Sequence, residues 1–455
     1  MNTSPEPRGS KLTRRHFVGG MALAGAITIV PRHVLGGPGQ KAPSEKLNIA
    51  GIGVGGQGAS DIKQVESQNI VALCDVDDNR AAGTLKQFPD AKRYKDFRKM
   101  LDAEKNIDAV VVATPDHIHA VAAMAAIKAG KHVYCEKPLS HTIHEARMLA
   151  QAAKEAKVAT QMGNQGMAFE ANRLIKEWLW DGAIGAVREA HVWSDRPTHA
   201  GTRRLYWSQG IERPTDTPPV PASLDWDLWL GPAPERPYHP AYVPFAWRGW
   251  WDFGTGGIGD MGSHNMAPVF AALKLAAPTS VESSSTAVFP ETLPLACTIH
   301  YSFPARGDMP ALTLHWYDGG LMPARPAGLE DDRKLSREDG AILVGDKGTM
   351  LIEGWGGNSV RLIPEEKMKA YTRPPKALPR SIGHHKEWIE ACKKGTPTES
   401  NFAFAGPLTE ALLLGLISVR LGGRKLYWDS ASMKITNEPE ANKYLHYEYR
   451  KGWTL

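Results

Sequence analysis

The stretch Leu47–Ile62, "LNIAGIGVGGQGASDI", decides the fold. A short apolar strand, Leu47 to Ile52, runs directly into a glycine-rich turn and then a helix. In the register Gly53-x-Gly55-x-x-Gly58 the glycines allow a tight turn and close backbone approach, so that a pyrophosphate can rest on the helix N-terminus. An overlapping register, Gly51-x-Gly53-x-x-Gly56, fits the same spacing, and the roles of the individual glycines stay open.

Reading outward from this turn, the chain alternates strands and helices. "NIVALCDVDDNRA" (69–81) is a second strand ending at Asp75, about 20 residues beyond the fingerprint, where a carboxylate accepts from a ribose diol and repels a 2′-phosphate. NAD is therefore favoured over NADP, unless Asp75 is only a turn acid. "IDAVVVATPDHIHAVAAMAAIKAG" (107–130) is a fully apolar strand, a turn at Pro115 and an Ala-rich helix. "KHVYCEKPLS" (131–140), "TIHEARMLAQAAKEAK" (142–157) and "VATQMGNQ" (158–165) continue the pattern. Strands apolar on both faces, separated by helices, predict a doubly wound parallel sheet over residues 46–165. Ligands bind along the edge formed by the strand ends. Thr114, Pro115, His117, Glu136, Lys137 and Asn164 are thus candidate cofactor-binding residues beside the glycine turn. His117-x-His119 has no obvious carboxylate or Cys partner nearby, so no metal is expected; His119 is assigned to the cap of the following helix.

Beyond residue 166 the character changes. Tryptophan and proline become frequent, and "VREAHVWS" (187–194), "LACTIHYSF" (295–303), "ALTLHWYD" (311–318), "GAILVGDKGTMLIEG" (340–354) and "NSVRLIPEE" (358–366) follow without the strand–helix alternation. Several alternate apolar and polar residues, as in an antiparallel sheet with one covered face. "FAGPLTEALLLGLISVRLGG" (404–423) reads as a strong helix and "KLYWDSASMKIT" (425–436) as a final strand-like piece. Residues 166–455 are expected to form an α+β domain with a large, mostly antiparallel open sheet, for substrate binding and oligomerisation. Within it, "FAWRGWWDFGTGGIGDMGSHNMAPVFAALKL" (245–275) places Asp260 and His264 at i, i+4. On a helix they share one face, and a histidine suits general acid–base work near neutrality. Trp247 and Arg248 just upstream offer an aromatic face and a guanidinium to a polyhydroxylated ring.

Composition limits the alternatives. The 455 residues are 42% hydrophobic and 23% charged, ordinary for a soluble chain. Residues 1–36 hold five basic side chains and one acid; the remaining 49 basic and 48 acidic residues leave a net charge of +1. No electrostatic case for nucleic acid or anionic lipid remains. The four cysteines are widely spaced, without a C-x-x-C, and are read as structural. "TRRHFVGGMALAGAITIV" (13–30) sets Arg14-Arg15 before an apolar run too short to span a bilayer comfortably, which resembles a twin-arginine (Tat) export signal. Residues 1–36 are assigned as the leader, with cleavage near Val34-Leu35-Gly36, and 37–45 as a linker. This implies a Tat-machinery partner, a periplasmic or extracytoplasmic location and no stable membrane insertion after cleavage.

Together, Gly53/Gly55/Gly58, Asp75, "TPDHIHA" (114–120), "EKP" (136–138), "GNQ" (163–165) and Asp260/His264 resemble the Gfo/Idh/MocA family of oxidoreductases. The resemblance covers nearly the whole mature chain. It implies a Rossmann domain followed by an open antiparallel sheet, and homodimers or homotetramers through the open sheet face. It also implies that Lys137 contacts substrate hydroxyl and nicotinamide, while Asp260 and His264 bind the reacting sugar and move its proton. The leading expectation is an NAD-dependent oxidoreductase acting on a secondary hydroxyl of a sugar, glycoside or cyclitol. An NAD-dependent glycosidase that oxidises, eliminates and re-reduces is the alternative, and a non-catalytic NAD- or sugar-binding protein is a third reading.

Overall fold

The computed structural model describes residues 45–202 and 204–455; the leader expected over 1–36 and all but the last residue of the 37–45 linker lie outside the described residues. The first sheet is built from β1 (Asn48–Ile52), β2 (Asn69–Cys74), β3 (Lys92–Tyr94), β4 (Ala109–Val112), β5 (His132–Glu136) and β6 (Thr160–Gly163). Their order is β3-β2-β1-β4-β5-β6 and every pairing is parallel. All four residues of β4 are buried, as a strand covered on both faces requires. Helices α1 (Gln57–Gln64) and α2 (Asp78–Gln87) cover one face; α3 (Phe97–Ala103), α4 (Asp116–Lys128) and α5 (Ile143–Ala156) cover the other. A capping box between Thr142 and Glu145 starts α5 immediately after the "EKPLS" strand end.

A nine-stranded sheet follows. Helix α6 (Glu170–Trp180) leads into β7 (Val187–Ser194), and helix α7 (Ser263–Ala272) precedes β8 (Ser280–Ser285). The remaining strands are β9 (Cys297–Phe303), β10 (Leu312–Tyr317), β11 (Asp339–Gly345), β12 (Gly348–Glu353), β13 (Ser359–Ile363), β14 (Leu426–Asp429) and β15 (Lys434–Ile435). The order is β13-β12-β11-β7-β10-β9-β8-β14-β15, antiparallel except between β7 and β10. The molecule is thus an α/β protein, a six-stranded Rossmann sheet followed by a domain with a large, mostly antiparallel sheet. On β9 and β10 burial alternates strictly, with Ile299, Tyr301, Leu314 and Trp316 inward and Thr298, His300, Thr313 and His315 outward.

Two late helices tie the sheets together. Helix α8 (His384–Lys394) sets Trp388 against Tyr134 and Ile49 of the Rossmann core. Helix α9 (Phe402–Arg420) lies against α5, where buried Glu410 receives Nε and Nη2 of Arg147 at 2.6 and 2.9 Å. Such a bidentate pair fixes orientation as well as distance. Long and apolar enough to cross a membrane, α9 is instead mostly buried in the core. Cys74, Cys135, Cys297 and Cys392 are free thiols, and the first three are buried.

Candidate functional site

Glycines of both registers are sterically constrained in the turn. A Cβ on Gly58 would lie 1.8 Å from the Gly53 carbonyl oxygen, so the third glycine of the 53/55/58 register is required for α1 to pack against its own strand. Gly56 adopts φ 54°, ψ −118° and caps α1 without a side chain; of the first-turn amides, that of Gly58 donates back to the Gly55 carbonyl at 3.1 Å. Asp75 at the end of β2 holds this turn: its Oδ2 accepts from the Val54 and Gly55 amides at 2.8 and 3.2 Å, and its Oδ1 from the Asp77 amide at 3.0 Å. Burial pushes its carboxyl up, and these backbone hydrogen bonds oppose that rise.

Lys137 leaves the end of β5 and crosses to the second domain, where its ammonium pairs with Oδ1 of Asp260. Nε of Arg248 donates to the same oxygen at 3.1 Å. The Arg248 guanidinium is itself held between the rings of Trp247 and Phe245, 4.2 and 4.7 Å from their centres, and its Nη1 is buried without a partner among the described residues. Burial alone would raise Asp260; Lys137 first and Arg248 second outweigh it and hold the carboxyl well below its ordinary range. Asp260 is therefore an anion that positions two cations.

Asp260 and His264 were expected on a common α-helix. Instead Ile258–Gly262 forms a π-helical turn that feeds α7, so the spacing spans a widened turn. Thr255, at its entrance, is pinned to the Rossmann domain: its amide and hydroxyl donate to Asp116 at 3.1 and 2.6 Å. His264 packs edge-on against Trp355, with ring centres 5.2 Å apart, and its Nδ1 is buried without a partner among the described residues. Burial, then the Lys137 charge, depress its pKa far below 6.5. The ring is neutral, the form that can accept a proton.

These groups share one cavity of about 600 Å³, lined by Gly53, Gly55, Asp75, Asp260, His264 and Trp355. Thr114, Pro115, Glu136, Lys137, Trp247 and Arg248 line it as well. Three expected residues do not, the first being Gly58, which is packed against the Gly53 carbonyl. His117 is fully buried, its ring nitrogens facing the carbonyls of Phe253 (3.3 Å) and Trp229 (3.0 Å). Its position in the first turn of α4 turns it toward the aromatic loops instead of the sheet edge. Asn164 is also fully buried, donating to the Ser263 carbonyl at 3.3 Å behind the cavity wall. His119 caps nothing; it bridges the carbonyls of Pro138 (2.7 Å) and Thr114 (2.8 Å), fastening the lysine-bearing loop to the neighbouring strand end.

Other cavity residues were missed. Gln165, next to Asn164, donates to Glu136 Oε1 at 2.7 Å and to the Tyr134 hydroxyl at 3.0 Å. Trp229, Trp355, Arg196 and Tyr206 supply aromatic and guanidinium surface, with Arg196 stacked 3.5 Å over Tyr206. Only the Gly-Trp-Gly-Gly sequence at 354–357 hinted at a tryptophan held out on a turn. The fit to a dinucleotide rests on the uncapped start of α1, the close-packed glycines and the buried Thr114 hydroxyl, which has no partner among the described residues.

Comparison with known proteins agrees with this architecture. Residues 47–164 match the model for the oxidoreductase family's NAD-binding Rossmann fold, and residues 197–303 match its C-terminal alpha/beta domain. A levoglucosan dehydrogenase of Pseudarthrobacter phenanthrenivorans is 35% identical over 107 residues, 24% of this chain and 27% of that protein. A myo-inositol 2-dehydrogenase of Thermotoga maritima is 29% identical over 168 residues, 36% of this chain and 50% of that one. The chain thus spans about half or less of the length of these relatives. Among solved structures, the WlbA dehydrogenase of Bordetella pertussis, in complex with NADH and UDP-GlcNAcA, superposes with a TM-score of 0.58 at 18% identity. That match covers 84% of this chain and 99% of that one. Aldose-aldose oxidoreductase of Caulobacter crescentus gives 0.55 at 17% identity, covering 84% and 99%. These two likenesses concern the fold alone. With matches to both parts of the family, in family order, the chain is similar to the Gfo/Idh/MocA oxidoreductases over residues 47–164 and 197–303.

Proposed function

We propose that this protein is an NAD-dependent oxidoreductase acting on a secondary hydroxyl of a sugar, glycoside or cyclitol. One observation carries the reading: Lys137 from the Rossmann domain, and Asp260 and His264 from the second domain, line the same cavity as the glycine turn. The first-turn amides of α1 would hold the diphosphate of NAD, Asp75 and Thr114 its ribose groups, and NAD would supply the hydride acceptor or donor. Asp75 presents a carboxylate where NADP would bring a phosphate, which favours NAD.

The chain's own groups account for the proton. Neutral His264 accepts it from the substrate hydroxyl, and the Lys137 ammonium stabilises the oxygen as it becomes anionic. Asp260 keeps Lys137 and Arg248 aimed at that point. Trp247, Trp355 and Trp229 offer flat faces to ring C–H bonds, and Nη1 of Arg248 a donor to a hydroxyl. The dehydrogenase names of the curated relatives support the substrate class.

The test is to add myo-inositol, levoglucosan, D-glucose and a chromogenic glucoside separately to the NAD-loaded protein and follow reduced-nicotinamide absorbance. Stoichiometric reduction by a polyol supports the dehydrogenase. Aglycone release without net reduction would transfer the same residues to a glycosidase cycle, and no spectral change with any member would leave a binding protein. The twin arginine at 14–15 supports Tat export to the periplasm or another extracytoplasmic space. Replacing both arginines by lysine should retain the protein in the cytoplasm, and unchanged export would refute this. Assembly into dimers or tetramers through the large sheet is tested by the mass in solution; a monomer would refute it.

A further inference from the structure

The outer face of the large sheet carries a row of imidazoles that the proposed reaction does not use. His191 on β7, His315 on β10 and His300 on β9 stand directly opposite one another in register. The rings of His191 and His315 stack with centres 4.9 Å apart and planes 18° from parallel. Glu189 lies two residues before His191, on the same face of β7. Its Oε1 is 3.2 Å from Nε2 of His191 and 3.3 Å from Nε2 of His315. We propose that Glu189, His191 and His315 form a binding site for a divalent transition-metal ion of the zinc class.

Two features of the cluster support this. First, a tetrahedral ion with bonds of about 2.0–2.1 Å separates its ligand atoms by about 3.3 Å, which is the spacing of the carboxylate oxygen from both ring nitrogens. Second, the far nitrogen of each ring is engaged. Nδ1 of His191 is 3.1 Å from the Tyr317 hydroxyl, and Nδ1 of His315 is 2.6 Å from Nδ1 of His300. Ligating imidazoles have such partners, which fix the ring and point Nε2 at the ion. Glu189 is half-exposed, so water can complete the coordination.

Without an ion the same atoms form a hydrogen-bonded polar row in which Glu189 accepts from both rings. Metal binding separates the two cases. The full-length protein, stripped with a chelator and dialysed, is titrated with zinc against a chromophoric zinc indicator and, separately, with cobalt(II) under visible absorption. The expected result is one equivalent per chain at submicromolar affinity, with the intense visible bands of four-coordinate cobalt. His191→Ala or His315→Ala should weaken binding at least about 100-fold, and Tyr317→Phe about tenfold, as loss of an orienting partner does. Glu189→Gln, at a half-exposed position, keeps the test readable if a histidine variant fails to fold. A stripped protein that takes up no equivalent, or one whose equivalent survives in both Glu189→Gln and the folded histidine variants, would overturn the proposal.

Discussion

Replacing Lys137 by methionine keeps the length and apolar stem of the side chain and removes only its charge. In the wild type the ammonium is nearly buried and lies against Asp260, where the cavity wall shields it from water. Loss of one preorganised donor to a developing oxyanion costs about 2.7–4 kcal/mol, and a charged donor lies at the upper end. At 1.36 kcal/mol per decade this predicts a fall in kcat of about 10³-fold. The fold should suffer less than the roughly 3–5 kcal/mol of an orphaned buried charge, because Asp260 keeps Arg248 at 3.1 Å. NAD affinity, measured by quenching of tryptophan fluorescence, should change little. The pH profile should also move. Lys137 is the second cause of the depressed His264 pKa after burial, so without it that pKa rises toward 6.5. The residual activity should then fall with decreasing pH through a range where the wild-type proton acceptor is still neutral. Turnover within tenfold of wild type, or a loss matched by lost NAD binding, would refute the assignment.

Three further outcomes follow from the same geometry. Gly58→Ala sets a methyl 1.8 Å from the Gly53 carbonyl oxygen, so the turn must open. Strain of about 1–3 kcal/mol should appear as weakened NAD binding and a lower melting temperature, read by calorimetry. Arg248→Lys keeps a cation for Asp260 but abandons the stacked fork between Trp247 and Phe245; KM for the polyol should rise more than kcat falls, in steady-state kinetics. Burial, and then Asp61, push the Glu136 carboxyl up to about 8. A carboxyl raised in the folded state stabilises the fold below its unfolded pKa, and that contribution disappears as pH rises through the folded value. The melting temperature should therefore drop between about pH 6.5 and 8.5, a range in which the buried neutral histidines add no slope, and Glu136→Gln should flatten the drop.

Much of the site was legible because its signals are local. The glycine turn, Asp75, Thr114 and Lys137 each follow the end of an apolar strand, and a parallel sheet brings such ends to one edge. Asp260 and His264 were legible from spacing, although the turn that carries them is π-helical. His117 was not, because one turn of helix decides whether a side chain faces the sheet edge or the loops packed behind it. Asn164 and Gln165 show the same limit within a single strand end, where neighbours point to opposite sides. Trp229 arrives on a short helix (Trp226–Leu230), and Trp355 and Tyr206 on loops, 70 to 220 residues from the strand that bears Lys137, and nothing in their own neighbourhood encodes that meeting. Strands β3 ("KRY") and β8 ("SVESSS") escaped for a different reason. One is a three-residue edge and the other carries serines where a buried strand would be apolar.

A double-mutant cycle on Lys137 and His264 tests the central claim most directly, because each residue comes from a different domain and both are assigned to one proton transfer. Single-turnover reduction of bound NAD would be followed for wild type, Lys137→Met, His264→Phe and the double variant. Residues acting as a unit give strongly non-additive losses, so the double variant should be little slower than the worse single one. Losses that multiply, or a His264→Phe variant as fast as wild type, would contradict a shared site.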